Sequence, residues 1–187
     1  MNPEELRKID NTWTLFLDRD GVINKRIFGG YVRSIDEFEF LPGVLDSIKI
    51  FSEKFGRIVI VTNQQGVGKG LMSEHQLEIV HEHLESSVTD HGGSIDAILY
   101  CTDLAYSEGN CRKPSPEMAN KAKQVFPEIL FEKSIMVGDS TSDIQFGRNA
   151  GMKTIFITSS EKSEEAIALA DISVGSLEEF CKLMKDM

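Results

Sequence analysis

Two aspartates, Asp18 and Asp20, close an apolar run and are followed by Gly21 in the stretch "TLFLDRDGVIN", Thr14 to Asn24. Side chains of an extended chain repeat every second residue, so carboxylates at this spacing can face one cleft. Unpaired, they repel each other and desolvate badly, and a cation is their natural partner. Asp139 ends another short apolar run and adds a third carboxylate. An oxygen-only set of this kind suits Mg²⁺, which keeps several waters and shares phosphate oxygens. Gly21 permits a sharp turn, and its amide can face an anion. Taken singly, each aspartate can equally cap a turn or a helix. Taken together they point to a metal.

A phosphate group fits the remaining candidates. Thr62 offers a hydroxyl, Asn63 an amide, and Lys113 a point charge for phosphoryl oxygens. Phosphate monoesters hydrolyse very slowly unaided, so charge neutralisation and positioning must be strong. A carboxylate nucleophile splits the task into an aspartyl-phosphate and its hydrolysis. A second carboxylate can protonate the leaving oxygen and then take a proton from water, a role worth ~10²–10⁴-fold. One aspartate attacks and the other shuttles the proton.

The elements that must position these residues are legible as short apolar runs. They are "TLFL" (14–17), "IVIVT" (58–62), "AILY" (97–100), "IMVGD" (135–139), "TIFIT" (154–158) and "ISVG" (172–175). Each is too short for a helix and most are rich in β-branched residues, which predicts strands buried on both faces. Between them, Val44, Ile48 and Phe51 form one helical stripe, and Leu77, Val80, Leu84 and Val88 another. Pro116 stands in an expected first turn, and Gly151 is an expected helix stop. Strands alternating with such helices imply a doubly wound α/β fold, a mostly parallel sheet with helices on both faces. Ligands of such folds sit at the carboxyl ends of the strands, where the candidate residues collect. The segment 22–41 is too long for a simple turn and is expected to pack over the site as a small flap.

Length and composition set the bounds. The 187 residues suit one domain, 1–187, and 41% hydrophobic residues are ordinary for a soluble globular protein. No run approaches the ~20 apolar residues a membrane helix needs, and "MNPEELRKIDNT" lacks the apolar centre of a signal peptide. A formal charge of −10 argues against a nucleic-acid partner. Three cysteines, Cys101, Cys111 and Cys181, give no disulfide framework at this length. The reading is a cytoplasmic protein with reduced thiols, expected as a monomer without membrane or nucleic-acid partners.

"FLDRDGVIN", "VTNQQGVGKG", "CRKPSPEM" and "MVGDSTSD" resemble, in order and spacing, the four motifs of the haloacid dehalogenase superfamily of phosphatases. The resemblance covers most of the chain, roughly Leu15 to Gly151. It implies a Rossmann-like fold with Asp18 as nucleophile and Asp20 as general acid/base. Thr62 and Lys113 would hold the transferring phosphoryl group, and Asp139 would complete a Mg²⁺ site with Asp18 and the Asp20 backbone carbonyl. Asn63, Gln64 and Gln65 of the second motif would contact substrate, and Arg112 would recognise it beyond the reacting phosphate. Asp143 is equally a helix-start carboxylate or a site residue. The lack of a large insertion implies a minimal cap. Within the superfamily, the chain is most similar to the D-glycero-D-manno-heptose 1,7-bisphosphate phosphatases and their sister histidinol-phosphatases. "GYVRSIDEFEFLPGV" and the basic residue of "GVGKG" look like the heptose branch, "GDSTSDIQ" like the histidinol branch. A small phosphorylated substrate, foremost the sugar bisphosphate, is expected.

Several patterns are decoys or departures. "GVGKG" lacks the Ser or Thr after its lysine and the first glycine of a nucleotide-binding loop, so Lys69 reads as an exposed lysine at the edge of the site. Relatives often hold structural zinc through Cys-x-His and Cys-x-Cys pairs; here those positions read Cys101, Asp103, Gly109 and Cys111. Zinc wants four closed nitrogen or sulfur ligands, so a structural zinc is not expected. Cys101 reads as a buried strand end and Cys111 as a packing or surface thiol. His75, His81, His83 and His91 read as solvated helix histidines, because positions two apart on a helix face different ways. A phosphoryl-accepting receiver domain has the wrong order of Asp, Thr and Lys, and a polynucleotide 3′-phosphatase is disfavoured by the acidic balance.

Overall fold

The structure, a computed structural model, describes residues 3–158 and 163–185. All six apolar runs are strands, β1 (Thr14–Leu17), β2 (Arg57–Asn63), β3 (Ala97–Cys101), β4 (Ser134–Gly138), β5 (Lys153–Ile157) and β6 (Ile172–Val174). They form one sheet of order β3-β2-β1-β4-β5-β6 with every pairing parallel. The described helices are α1 (Pro3–Arg7), α2 (Val44–Lys54), α3 (Gln65–Gly68), α4 (Glu74–Asp90), α5 (Glu117–Val125), α6 (Thr141–Ala150), α7 (Glu164–Leu169) and α8 (Leu177–Lys185).

The alternation of side chains along each strand divides the core. Leu15 and Leu17 pack with Ile58, Ile60, Ile135 and Val137 beneath α2, α4 and α8. Phe16, Val59, Val61 and Met136 face the other way, beneath α5 and α6. β1 is buried along its whole length because it lies inside the sheet with helices on both sides.

Register places the chemistry. Leu17 lies beside Ile60 of β2 and Val137 of β4, so the residues just beyond arrive at one level. These are Asp18, Thr62 and Asp139. The strand order reverses between β1 and β4, and a crevice opens at the carboxyl ends of strands flanking such a reversal.

The segment 22–41 leaves β1 and returns as an irregular two-stranded excursion. Asn24 bridges to Phe40, Lys25 N–H donates to Glu39 O, and Leu41 N–H donates to Ile23 O. Its base is rooted in the core through Val22, Ile23, Val32 and Phe38. Its tip, from Arg26 to Tyr31, lines the crevice.

Candidate active site

Asp18 follows β1 and is buried, as are Lys113, Asp139 and Asp143. Lys113 Nζ lies 2.5 Å from both Asp18 Oδ1 and Asp143 Oδ1, and donates to the Val61 carbonyl at 2.8 Å. The lysine is thus held by the end of β2 and two carboxylates. Burial alone lowers its affinity for a proton, but Asp143 and Asp18 outweigh that and hold it charged. Asp18 has the opposite balance. Burial pushes its carboxyl well above the ordinary range against the pull of Lys113, and Asp143, Asp139 and Asp20 add to the push.

Asp143 is both of the things its sequence position allows. It accepts from Ser140 N–H at 3.0 Å and Ser140 Oγ at 2.6 Å, which starts α6, and its other oxygen meets Lys113. Carboxylate oxygens of Asp18, Asp139 and Asp143 lie within 4.8 Å of one another. Arg26 from the segment 22–41 reaches Asp139 Oδ2 at 3.3 Å. A buried all-oxygen cluster with this excess of negative charge fits a hard divalent cation such as Mg²⁺. The Asp20 side chain is not part of it.

Gly21 makes the cluster possible. Its φ is +95°, and a Cβ built there would stand 2.0 Å from Asp139 Oδ2. Gly21→Ala is therefore expected to displace the Asp139 carboxylate and cost about 2 kcal/mol in stability. A titration of activity with Mg²⁺ should then reach half-maximum at clearly higher metal concentration. An unchanged midpoint would show that Asp139 tolerates the methyl group.

Asp20 turns to a different set of partners. Its Oδ1 accepts from Arg19 Nη2 (3.1 Å) and Asn24 Nδ2 (2.9 Å), and its Oδ2 from Arg19 Nη2 and Gln64 Nε2, both at 2.9 Å. Burial raises its carboxyl, but the charge of Arg19 and these hydrogen bonds prevail and hold it below the ordinary range. Asp20 still lines the crevice.

The crevice, about 440 Å³, brings together Asp18, Asp20, Thr62, Asn63, Lys113 and Asp139, and its lining also includes Gln65 and Arg112. Asn63 spans to Lys113, accepting from its N–H at 3.0 Å and donating to its carbonyl at 3.3 Å. The Lys113–Pro114 peptide is cis. Arg112 carries a buried Nη1 with no hydrogen-bond partner, a donor available to a ligand oxygen. Lys69 is exposed as expected, yet lines the crevice with Nζ donating to Tyr31 Oη at 3.1 Å.

Three expectations are corrected. Gln64 is buried and does not line the crevice; its Nε2 is spent on Asp20 and Thr62 Oγ1. His81 is not solvated: it is buried on the inner face of α4 with Nε2 3.0 Å from Arg19 Nη1. Burial, followed by the charge of Arg19, pushes its imidazole down to about 3. Cys101 and Cys111 are not reduced thiols but a disulfide, their Cα atoms 5.6 Å apart where the loop after β3 turns back toward Arg112. Cys181 remains free and buried.

Arg19, Asn24 and Arg26 were not singled out by the sequence. Arg19 sits inside the Asp-x-Asp pair, where a residue pointing away from the cleft is unremarkable in pattern alone. Its full burial is what marks it, since a buried guanidinium needs partners.

A buried carboxylate against a buried lysine, a second carboxylate held apart from it, and an acidic cluster at a sheet reversal fit a phosphoryl-transfer hydrolase. A HAD-hydrolase-like family model matches residues 110–178. The D-glycero-alpha-D-manno-heptose-1,7-bisphosphate 7-phosphatase of Mycobacterium bovis is 38% identical over 90% of this chain and 89% of its own length. The D-glycero-beta-D-manno-heptose-1,7-bisphosphate 7-phosphatase of Escherichia coli is 35% identical over 91% of this chain and 93% of its own. The crystal structure of D,D-heptose 1,7-bisphosphate phosphatase from B. bronchiseptica, complexed with magnesium and phosphate, superposes with a TM-score of 0.82. It is 26% identical, covering 94% of this chain and 99% of that one. The chain belongs to the haloacid dehalogenase superfamily of phosphatases, in the family of the heptose-bisphosphate phosphatases.

Proposed function

We propose that the chain is a Mg²⁺-dependent phosphomonoesterase that removes the 7-phosphate of D-glycero-D-manno-heptose 1,7-bisphosphate through an aspartyl-phosphate on Asp18. The observation that carries this reading is Asp18 held against Lys113 in a crevice whose lining also includes the unpartnered guanidinium nitrogen of Arg112. Asp18, Asp139 and the Asp20 carbonyl, with Asp143 beside them, would hold Mg²⁺, which would neutralise charge on the transferring group and on the nucleophile. Asp18 attacks phosphorus while Asp20, protonated in the substrate complex against the pull of Arg19, gives that proton to the departing sugar oxygen. Water then attacks the aspartyl-phosphate, Asp20 takes its proton, and phosphate leaves. Lys113 and Thr62 hold the phosphoryl oxygens, with Asn63 fixing the Lys113 backbone and Gln65 at the rim.

Arg112 in the lining suits a second anionic group, since a guanidinium binds phosphate oxygens in fixed, paired geometry. The reading also carries a monomeric, cytoplasmic, single-domain enzyme, with the segment 22–41 as its flap and neither nucleic acid nor membrane as partner. No helix among the described residues is long and apolar enough to cross a membrane.

Phosphate release is the test, comparing both anomers of the heptose bisphosphate with histidinol phosphate, with and without chelation of Mg²⁺. Preference for a heptose anomer supports the proposal; preference for histidinol phosphate moves the enzyme to the sister branch. Arg112→Ala should lower kcat/KM for the bisphosphate by about 10- to 100-fold, the worth of a lost hydrogen bond to a charged group. It should change turnover of a simple monophosphate far less. Equal losses on both would remove Arg112 from recognition of the second group.

A further inference from the structure

His81 comes from α4, outside the phosphatase motifs, yet its ring ends at the residue between the two motif aspartates. Arg19 is fully buried and has two side-chain partners. Nη2 holds both oxygens of Asp20, Nη1 faces His81 Nε2, and Nε has no partner. A guanidinium is a donor only, so the imidazole nitrogen facing it must present its lone pair, and the ring proton lies on Nδ1. The ring is packed in place by Tyr100 of β3, centroids 5.5 Å apart, and Tyr100 Oη donates to Glu74 at the start of α4. The other two donors to Asp20 have anchors of their own. Asn24 Nδ2 also reaches the Lys25 carbonyl, and Gln64 Nε2 also reaches Thr62 Oγ1. Arg19 is the longest member of the set, and its Nη1 has His81 as its partner.

Resting on the phosphatase reading, we propose that His81 is a positioning residue for the acid/base Asp20. By accepting from Arg19 Nη1 it fixes the guanidinium that fixes the carboxylate. Without it, Nη1 becomes a buried charged donor with nothing to bond, a costly state that side-chain rotation relieves. That rotation carries Nη2 off Asp20, and the carboxylate loses its aim at the leaving oxygen. The chemistry that suffers is protonation of a poor leaving group; a leaving group that departs as a stable anion does not need the proton.

The test is kcat/KM, which reports steps only through the first irreversible phosphoryl transfer, for an alkyl or sugar phosphate and for p-nitrophenyl phosphate. His81→Leu is expected to lower it about tenfold for the alkyl ester, part of the ~10²–10⁴ that a positioned acid supplies. For the aryl ester the loss should be much smaller. His81→Gln, whose amide oxygen can accept from Arg19, should recover most of the alkyl activity. Equal losses on both esters, or a leucine variant that behaves as the parent, overturns the proposal. Turnover by the parent protein separately tests the phosphatase reading. If the leucine variant does not fold, ¹⁵N spectra of histidine-labelled parent decide: an unprotonated Nε2 at His81 sustains the proposal, and a protonated one overturns it.

Discussion

Asp18→Asn is expected to abolish phosphate release, by about 10⁴-fold or more, because an amide cannot form the acyl phosphate. The same variant, free of metal, should be at least as stable as the parent near neutral pH. Burial, opposed by Lys113, raises the Asp18 carboxyl well above its usual range, with Asp143, Asp139 and Asp20 adding to the rise. The sign follows from linkage. A carboxyl whose folded-state pKa is raised costs stability at every pH above its unfolded value, and asparagine removes that cost. Loss of the charge partner of Lys113 works the other way, but Asp143 stays 2.5 Å from its Nζ. Activity and thermal unfolding together check the expectation. Residual turnover near that of the parent sinks Asp18 as nucleophile, and a midpoint many degrees lower reassigns the defect to folding.

Lys113→Met has the second-largest expected effect, and it falls on stability as well as rate. The methionine fills the lysine's space but leaves Asp18 and Asp143 buried without the cation between them. Breaking a buried pair from one side typically costs about 3–5 kcal/mol. For a chain of this length that is a fall of roughly 10 °C in Tm. Added Mg²⁺ should recover part of the fall, since a cation on the same carboxylates stabilises the folded state in proportion to its binding. Turnover should stay at least about 10³-fold down even with the metal, because the phosphoryl oxygens lose a fixed charge that the metal does not replace. A midpoint within a few degrees of the parent, with or without Mg²⁺, would show that the carboxylates are neutralised by other means.

The strands were legible because burial on both faces writes an uninterrupted apolar run, and such runs stand out between polar punctuation. The crevice-lining residues were legible because strand ends are where a parallel sheet gathers its polar groups. What stayed hidden depends on distances across the fold. The Cys101–Cys111 bond joins a strand end to the return of an irregular loop, and nothing in the intervening residues announces that the loop closes to 5.6 Å. Gln64 neighbours two crevice-lining residues, Asn63 and Gln65, but the turn into α3 buries it against Asp20. His81 could have been found. It stands four residues after Leu77 and three before Leu84, squarely on the apolar stripe of α4. A histidine in such a stripe is buried and must be bonded, whichever way His83 faces.

The pairing of β1 with β4 has a consequence for how the chain acquires its activity. Thr14 to Leu17 lie opposite Ser134 to Val137, a separation of most of the chain. During synthesis, Asp18 emerges long before Lys113 and before Asp139 and Asp143. Until β4 docks, one edge of β1 stands open with Leu15 and Leu17 beside it, a template for wrong pairing. Closing so long a loop is slow relative to local structure. The crevice therefore cannot form until β4 docks beside β1, a step that still leaves β5 and β6 to join the sheet.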